Sequence, residues 1–280
     1  MNLHNAELCH HDFDHALLPK KIENLRDLGY MSWTKEKEKL GKSIILQLYE
    51  EGMIKTWYKD NHQGWTLSSG IWSPFYIQLR PLTSHPKILK LVGKALGKLI
   101  KKECNEVNRI VGVAMAGIPI VTAISLSENI PSCFTRKLER TKSLDDLYNF
   151  AQEYGEHSLV EGVLSDGDNI AIVDDLVTSF NSTLFAIKQL KIETEVRKLK
   201  NVVYRYAVVL LDREQGASKI AKQKNIVLRS LIPFKSKGIG WLSNKMLSDE
   251  RSIIEDYLEN THKYQDVKIQ KELYKQAVKT

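Results

Sequence analysis

Residues 169–183 constrain this chain more than any other stretch. Ile170-Ala171-Ile172-Val173 runs straight into two adjacent carboxylates, Asp174 and Asp175. A polar turn follows, Thr178-Ser179-Phe180-Asn181-Ser182-Thr183, and Leu184 to Leu190 then takes up helical spacing. An apolar run this short and this rich in β-branched residues predicts a strand over 169–175, buried on both faces of a parallel sheet. Ligands of such sheets sit beyond the carboxyl ends of the strands. The acid pair therefore falls where a ligand belongs. The turn after it opens a helix, whose N-terminus attracts phosphate through unpaired amides and the helix dipole. Paired acids next to a phosphate turn point to a sugar phosphate. The simpler alternative is a capped strand-turn-helix junction with solvated aspartates.

The rest of the chain supplies the sheet this strand needs. Strands are expected at 110–114, 132–136, 206–212 and 226–234, separated by helical patterns, as in a mostly parallel α/β sheet with right-handed crossovers. Residues 110–127 carry no charge and approach the length of a membrane span. Gly112, Gly117 and Pro119 break them into strand, glycine turn and a buried helix over 119–126, with Pro119 in the first turn. Residues 42–52 predict a helix ended by Gly52, and residues 86–102 a second helix. Residues 53–82 alternate apolar and polar around Gly64 and Gly70, which predicts a small antiparallel unit. Its aromatics, from Trp65 to Tyr76, suit a hood over a planar ring. Residues 141–156 read as a long, charged connection of the kind used for lids. In 245–280, Ser248 is expected to cap a helix whose stripe is Ile253, Ile254, Tyr257 and Leu258. The expected organisation is an N-terminal extension over 1–41, a main domain over 42–240 with its hood at 53–82, and a helical tail over 241–280.

Composition narrows the function. The 280 residues are 42% hydrophobic and 27% charged, which excludes wholesale disorder. The net charge of +7 is compatible with polyphosphate substrates, and no dense basic cluster interleaved with aromatics favours nucleic acid. Cys9, Cys104 and Cys133 lie far apart, with neither metal nor disulfide spacing, which favours a reducing compartment. The first residues, Met1-Asn2-Leu3-His4-Asn5, contain no apolar signal core, so a cytoplasmic protein with no membrane partner is expected. His10-His11-Asp12-Phe13-Asp14-His15 has ligand-type residues but no scaffold to converge them, and no metal-ligand set is assigned.

In order along 42–234, the landmarks are Ser69-Gly70, Ser73-Pro74 and Leu79-Arg80, then Gly112-Val113-Ala114 with Gly117-Ile118-Pro119, then Arg136-Lys137. Tyr154-Gly155, Leu159-Val160-Glu161-Gly162, Val173-Asp174-Asp175 with Thr178, and Leu211-Asp212-Arg213-Glu214-Gln215-Gly216 complete the series. This series resembles orotate phosphoribosyltransferase, the pyrimidine-pathway enzyme also found as one domain of uridine monophosphate synthase. The resemblance implies a type I phosphoribosyltransferase fold with a hood, and Mg²⁺-assisted reaction of phosphoribosyl pyrophosphate with orotate to give orotidine 5′-monophosphate and pyrophosphate. It also implies a homodimer in which a mobile loop closes over the partner's site. By the same resemblance, Asp174 and Asp175 meet the ribose hydroxyls. Thr178, Ser179, Asn181 and Ser182 cradle the 5′-phosphate, and Arg136 and Lys137 face pyrophosphate. Ser69, Gly70, Phe75, Tyr76 and Arg213 form the base side. The loop lysine of the family is replaced by Arg140 or Lys142 in a longer loop. Phe180 stands where the family has glycine, and a ring there would crowd the phosphate or require another backbone path. Ser68 and Ala116 stand where lysines occur in family members. The second reading kept open is a catalytically weakened binding or regulatory protein of the same fold, or a transferase for another base.

Overall fold

The computed structural model describes residues 17–67, 69–138, 144–154 and 159–279, without the side chains of 17–31, 144, 145 and 154. The chain divides into two compact units, Met1–Glu36 and Lys37–Thr280. Of the first, residues 17–36 are described; they are helical and belong to α1 (Leu17–Glu50). Helix thus begins well before residue 42. The charged, weakly periodic sequence ahead of that position hid it, because a run without an apolar stripe gives no signal of helical period. All that follows concerns the second unit.

Gly52 ends α1 as expected. At φ +67° it takes the left-handed conformation that closes a helix, and Met53 N–H returns to the Leu48 carbonyl at 2.9 Å. The hood is two antiparallel pairs, β1 (Ile54–Thr56) with β4 (Phe75–Ile77) and β2 (Trp65–Thr66) with β3 (Trp72–Ser73). After a 3₁₀ turn come α2 (Pro86–Glu103), β5 (Arg109–Gly112), α3 (Gly117–Glu128) and β6 (Ser132–Thr135). The uncharged run over 110–127 is therefore strand, turn and helix, and no helix among the described residues is long and apolar enough to cross a membrane.

Then follow α4 (Leu144–Tyr154), β7 (Val160–Glu161), β8 (Asn169–Val177), α5 (Asn181–Val196), β9 (Val203–Asp212), α6 (Ala217–Gln223) and β10 (Val227–Pro233). The chain closes with α7 (Ile239–Trp241), α8 (Ser248–Glu259) and α9 (Val267–Val278). Two readings are corrected here. The connection over 141–156 contains an eleven-residue helix, α4. Leu147 and Ala151, one turn apart, are buried in the core beside Leu190 of α5, and the Tyr148 hydroxyl donates to Glu195 at 2.7 Å. At the other end, Ser248 is the first residue of α8 and Leu247 its N-cap. The cap bond is made by the Glu250 carboxylate, which accepts the Leu247 N–H at 3.2 Å.

Six strands form the central sheet in the order β10-β9-β8-β5-β6-β7, parallel except for β7. Alternation along β8 divides the core: Ile170 and Ile172 face α4, α5 and α6, while α2 and α3 cover the opposite face. From β5 the chain proceeds first to β6 on one side. It then returns to β8 on the other, and from there continues outward. This reversal between β5 and β8 is the switch point of the sheet, where their carboxyl ends diverge into a crevice. Below the crevice one buried ion pair locks α5 to the strand after α4. Glu193, wholly buried, accepts the Leu159 N–H at 2.7 Å and Arg197 Nε at 2.8 Å, and Arg197 donates to the Val160 and Gly162 carbonyls at 2.7 and 2.9 Å.

Candidate active site at the switch point

The acid pair lies at the carboxyl end of β8. Asp174 is 8% exposed and Asp175 half-buried. The Asp175 N–H donates to Asp174 Oδ1 at 2.9 Å and the Leu176 N–H to Asp175 Oδ1 at 2.7 Å, so local backbone fixes both carboxylates. Burial, and the neighbouring Asp175 charge, push Asp174 well above the ordinary carboxylate range. Burial raises Asp175 as well, against the pull of the Leu176 N–H, Asp174 and the Arg80 guanidinium. Two acids that resist ionisation without a partner are suited to hydroxyl groups or to a ligand that brings positive charge.

The neighbouring loop is pressed against this pair by the absence of side chains. Val113 N–H donates to the Val173 carbonyl at 2.9 Å. A Cβ on Gly117 would lie 2.6 Å from that same carbonyl oxygen, and one on Gly112 would lie 2.8 Å from the Gly117 carbonyl. Thr135 Oγ1 accepts the Ala114 N–H at 3.1 Å and ties the loop to the end of β6. Arg136 and Lys137 continue from β6 with exposed side chains. Arg136 pairs with Glu161 at 3.5 Å, and its carbonyl accepts from Gln189 at 2.8 Å.

Beyond β8 the chain turns into α5. Thr178 is half-buried, and Ser179, Asn181 and Ser182 are exposed around the first turn, whose amides lack intrahelical acceptors. Phe180 is the N-cap residue at φ 66°, ψ 2°, the left-handed conformation usual for glycine. Its ring is 1% exposed and packs in the core with Val177 and Ile187. The expectation that it crowds the turn is overturned. The backbone follows the glycine path, and the ring points into the hydrophobic interior, whose burial term of roughly 1.5–3 kcal/mol exceeds the strain of roughly 1–2 kcal/mol.

The residues assigned to the base by resemblance lie at the ends of β9 and β4. Arg213 N–H donates to the Val177 carbonyl at 3.1 Å, and Glu214 N–H donates to Asp212 Oδ1 at 2.7 Å, so the turn after β9 is held against β8. Burial raises the Asp212 carboxyl in the same neighbourhood. Arg213 is 6% exposed, and its guanidinium lies 4.5 Å over the Phe75 ring. Nε and Nη2 of Arg213 have no hydrogen-bond partner among the described residues. Desolvation pulls the guanidinium below its ordinary pKa, and the neighbouring Tyr257 opposes that. Phe75 is fully buried against Phe234 and Tyr257, with the arginine over one face of its ring. Tyr76, on the other face of β4, is half-buried and stacked on Trp65 at 6.0 Å. Ser69 and Gly70 form an exposed turn, with Gly70 at φ +79°. Arg140, Lys142 and Ser68 lie outside the described residues.

Sequence reasoning missed Arg80 and Tyr257 as neighbours of the site. Arg80 stood among the landmarks without a role, whereas Tyr257 follows Arg213 at a distance no spacing rule covers.

Solved structures identify the architecture. Orotate phosphoribosyltransferase from Aeropyrum pernix superposes with a TM-score of 0.55 at 23% identity, over 71% of this chain and 98% of that one. Uridine monophosphate synthase from Leishmania donovani gives 0.61 at 24% identity over 80% of this chain, which spans 42% of the length of the Leishmania protein. The chain has the type I phosphoribosyltransferase fold. No protein-family model matches it. Its sequence is 32% identical to orotate phosphoribosyltransferase from Methanocaldococcus jannaschii over 169 residues, 60% of this chain and 84% of that relative. The chain belongs to the orotate phosphoribosyltransferase family.

Proposed function

We propose that the protein transfers the ribose 5-phosphate group of phosphoribosyl pyrophosphate to orotate, giving orotidine 5′-monophosphate and pyrophosphate. One observation carries the choice of base. Nε and Nη2 of Arg213, the two nitrogens without a partner among the described residues, share one edge of the guanidinium and present parallel N–H bonds. That edge matches a carboxylate, which takes two such bonds at once. A buried fork left open in this way suits a flat, carboxylated ring.

On this reading N1 of orotate, its proton lost to solvent, bonds to the anomeric carbon as the bond from that carbon to the pyrophosphate oxygen breaks. Positive charge grows on the ribose and negative charge on the leaving group. The protein needs no nucleophile; it holds the partners and stabilises charge. Asp174 and Asp175 accept from the ribose hydroxyls and place negative charge beside the cationic ribose. Thr178, Ser179, Asn181 and Ser182, with the first turn of α5, hold the 5′-phosphate. Arg136, Lys137 and a loop cation, Arg140 or Lys142, face pyrophosphate. Ser69, Gly70 and Tyr76 border the base, and Phe75 supports Arg213.

Among the described residues no group of three His, Cys, Asp or Glu side chains converges on a metal position. The Mg²⁺ that the family implies would be held mainly by substrate oxygens and water near Asp174 and Asp175, where it would neutralise pyrophosphate. A homodimer with a shared loop is part of the same proposal. The weakened-binding-protein alternative rested on Phe180, Ser68 and the altered mobile loop; the inward ring of Phe180 removes the first of these supports.

The test is direct. The purified protein is incubated with Mg²⁺, phosphoribosyl pyrophosphate and orotate, and loss of orotate absorbance is followed beside a panel of uracil, hypoxanthine and other bases. Orotate is the expected substrate. Turnover of another base would reassign Arg213, and no turnover of any base would sink the enzyme reading.

A further inference from the structure

Three buried polar side chains, Gln189, Glu193 and Arg197, follow one another at four-residue intervals along α5 and at its C-cap. That spacing puts them on one stripe of the helix. Buried polar groups cost stability unless they are partnered, so the partners show what each is for. All three reach the connection that carries α4, which leaves the sheet at Arg136 and returns at Leu159. Gln189, 1% exposed, donates from Nε2 to the Arg136 carbonyl at 2.8 Å. Glu193 accepts the Leu159 and Val160 N–H groups at 2.7 and 3.2 Å. Arg197 donates to the Val160 and Gly162 carbonyls. Between the two stems, the Arg136 N–H donates to the Leu159 carbonyl at 2.9 Å.

Glu193 and Arg197 hold the returning stem, which carries no residue assigned to substrate. Gln189 holds the peptide group that joins Arg136 to Lys137, the two residues assigned to pyrophosphate. With the Arg136 N–H on Leu159 and its carbonyl on Gln189, the rigid peptide planes on both sides of its Cα are fixed. Leu138, the next residue, packs against the core. Two exposed cationic side chains therefore leave from a backbone held on each side. Gln189 stands eight residues beyond Asn181, roughly 12 Å along α5 from the phosphate turn.

We propose that Gln189 is a positioning residue for Arg136 and Lys137, so that one helix fixes both phosphate ends of the substrate site. This rests on the phosphoribosyl pyrophosphate reading above. A glutamine that serves only the fold would alter stability when replaced and leave affinity alone. One that places the cations would alter affinity for the pyrophosphate-bearing substrate and not for the base.

Gln189→Met tests it, because the donor is lost and most of the side-chain volume is kept. The expected result is a rise of about fivefold in KM for phosphoribosyl pyrophosphate, the worth of one neutral hydrogen bond, with orotate KM and kcat within twofold of the parent. An unchanged KM for phosphoribosyl pyrophosphate overturns the proposal, whatever happens to Tm, and parental turnover then leaves the activity standing. A parallel rise in both KM values also overturns it. A double-mutant cycle separates placing from folding. In a background of Arg136→Ala with Lys137→Ala, Gln189→Met should weaken binding no further, and a second fivefold loss overturns the proposal. If the wild type turns over no orotate, the activity reading falls by itself, and the cycle is read by calorimetric titration with phosphoribosyl pyrophosphate and Mg²⁺. A wild type that does not bind phosphoribosyl pyrophosphate overturns both. Should Gln189→Met not fold, Gln189→Leu, likewise without a donor, is read in its place; failure of both to fold marks a residue of the fold alone and overturns the proposal.

Discussion

On the proposed reading, the two walls of the crevice are made in opposite ways. The ribose-phosphate wall is one continuous piece of chain: β8, the acid pair, the turn and the start of α5, all between residues 169 and 183. Its geometry is set by bonds between neighbours, as when Asp175 N–H binds Asp174 and Leu176 N–H binds Asp175. The base wall gathers Phe75 from the hood, Arg213 from the end of β9, Phe234 from beyond β10 and Tyr257 from α8. No two of these are near one another in sequence. A wall built from one segment keeps its shape whenever that segment folds, whereas a wall built from four depends on the packing of the whole second unit. The first is thus the more tolerant of distant change, and the second the more exposed to it.

The contrast can be broken by substitution, and the largest effect is expected on the local wall. Asp175→Asn should lower kcat by roughly 10³-fold through loss of charge beside the ribose, while circular dichroism and Tm stay native. A variant of unimpaired rate would remove the acids from the mechanism. On the assembled wall, Arg213→Met keeps an apolar stem over Phe75. It should raise orotate KM by about 10²-fold with no loss of Tm, since it also removes two buried nitrogens that lack partners among the described residues. A substantial drop in Tm would mean the arginine is there for the fold.

Phe180→Gly should cost about 2–3 kcal/mol of stability, a lost core ring less the relieved backbone strain, as read from denaturant unfolding. Its KM for phosphoribosyl pyrophosphate should match the parent; a tightened KM would restore the view that the ring obstructs the phosphate turn. The smallest effect is on Asp174. Its folded pKa lies above the unfolded value, so between the two the folded state binds more protons, and stability falls as pH rises through that window. Asp174→Asn removes this loss. Its Tm should equal the parent's in acid, below the unfolded pKa, and exceed it increasingly as pH rises. A Tm advantage that shrinks with rising pH would reverse the assigned direction.

The same division explains what the sequence disclosed. The strand over 169–175, the turn and the helix after it are legible because period and chemistry lie in consecutive residues. β8 merely continues to Val177. The glycines at 112 and 117 are legible as a break, though not as the close approach to Val173 that requires them. The inward ring of Phe180 was not legible, because the space that receives it is bounded by residues far from it in sequence. Helix α4 had a faint signal, Leu147 and Ala151 one turn apart, within a charged stretch that read as a connection. Tyr257 appeared only as a member of an apolar stripe. Its ring gains its place from Phe75, which it meets edge-on beneath the guanidinium.

Gly117 sets a dimension. With only a hydrogen where a Cβ would stand 2.6 Å from the Val173 carbonyl, the loop after β5 and the strand leading to the acids are as close as two backbones can lie. On the proposed reading that strand ends in the acids that meet the ribose. How deep Asp174 and Asp175 lie beside the neighbouring loop is then gauged by the smallest side chain available. Any larger residue at 117 would shift that gauge without touching a single group assigned to the substrate.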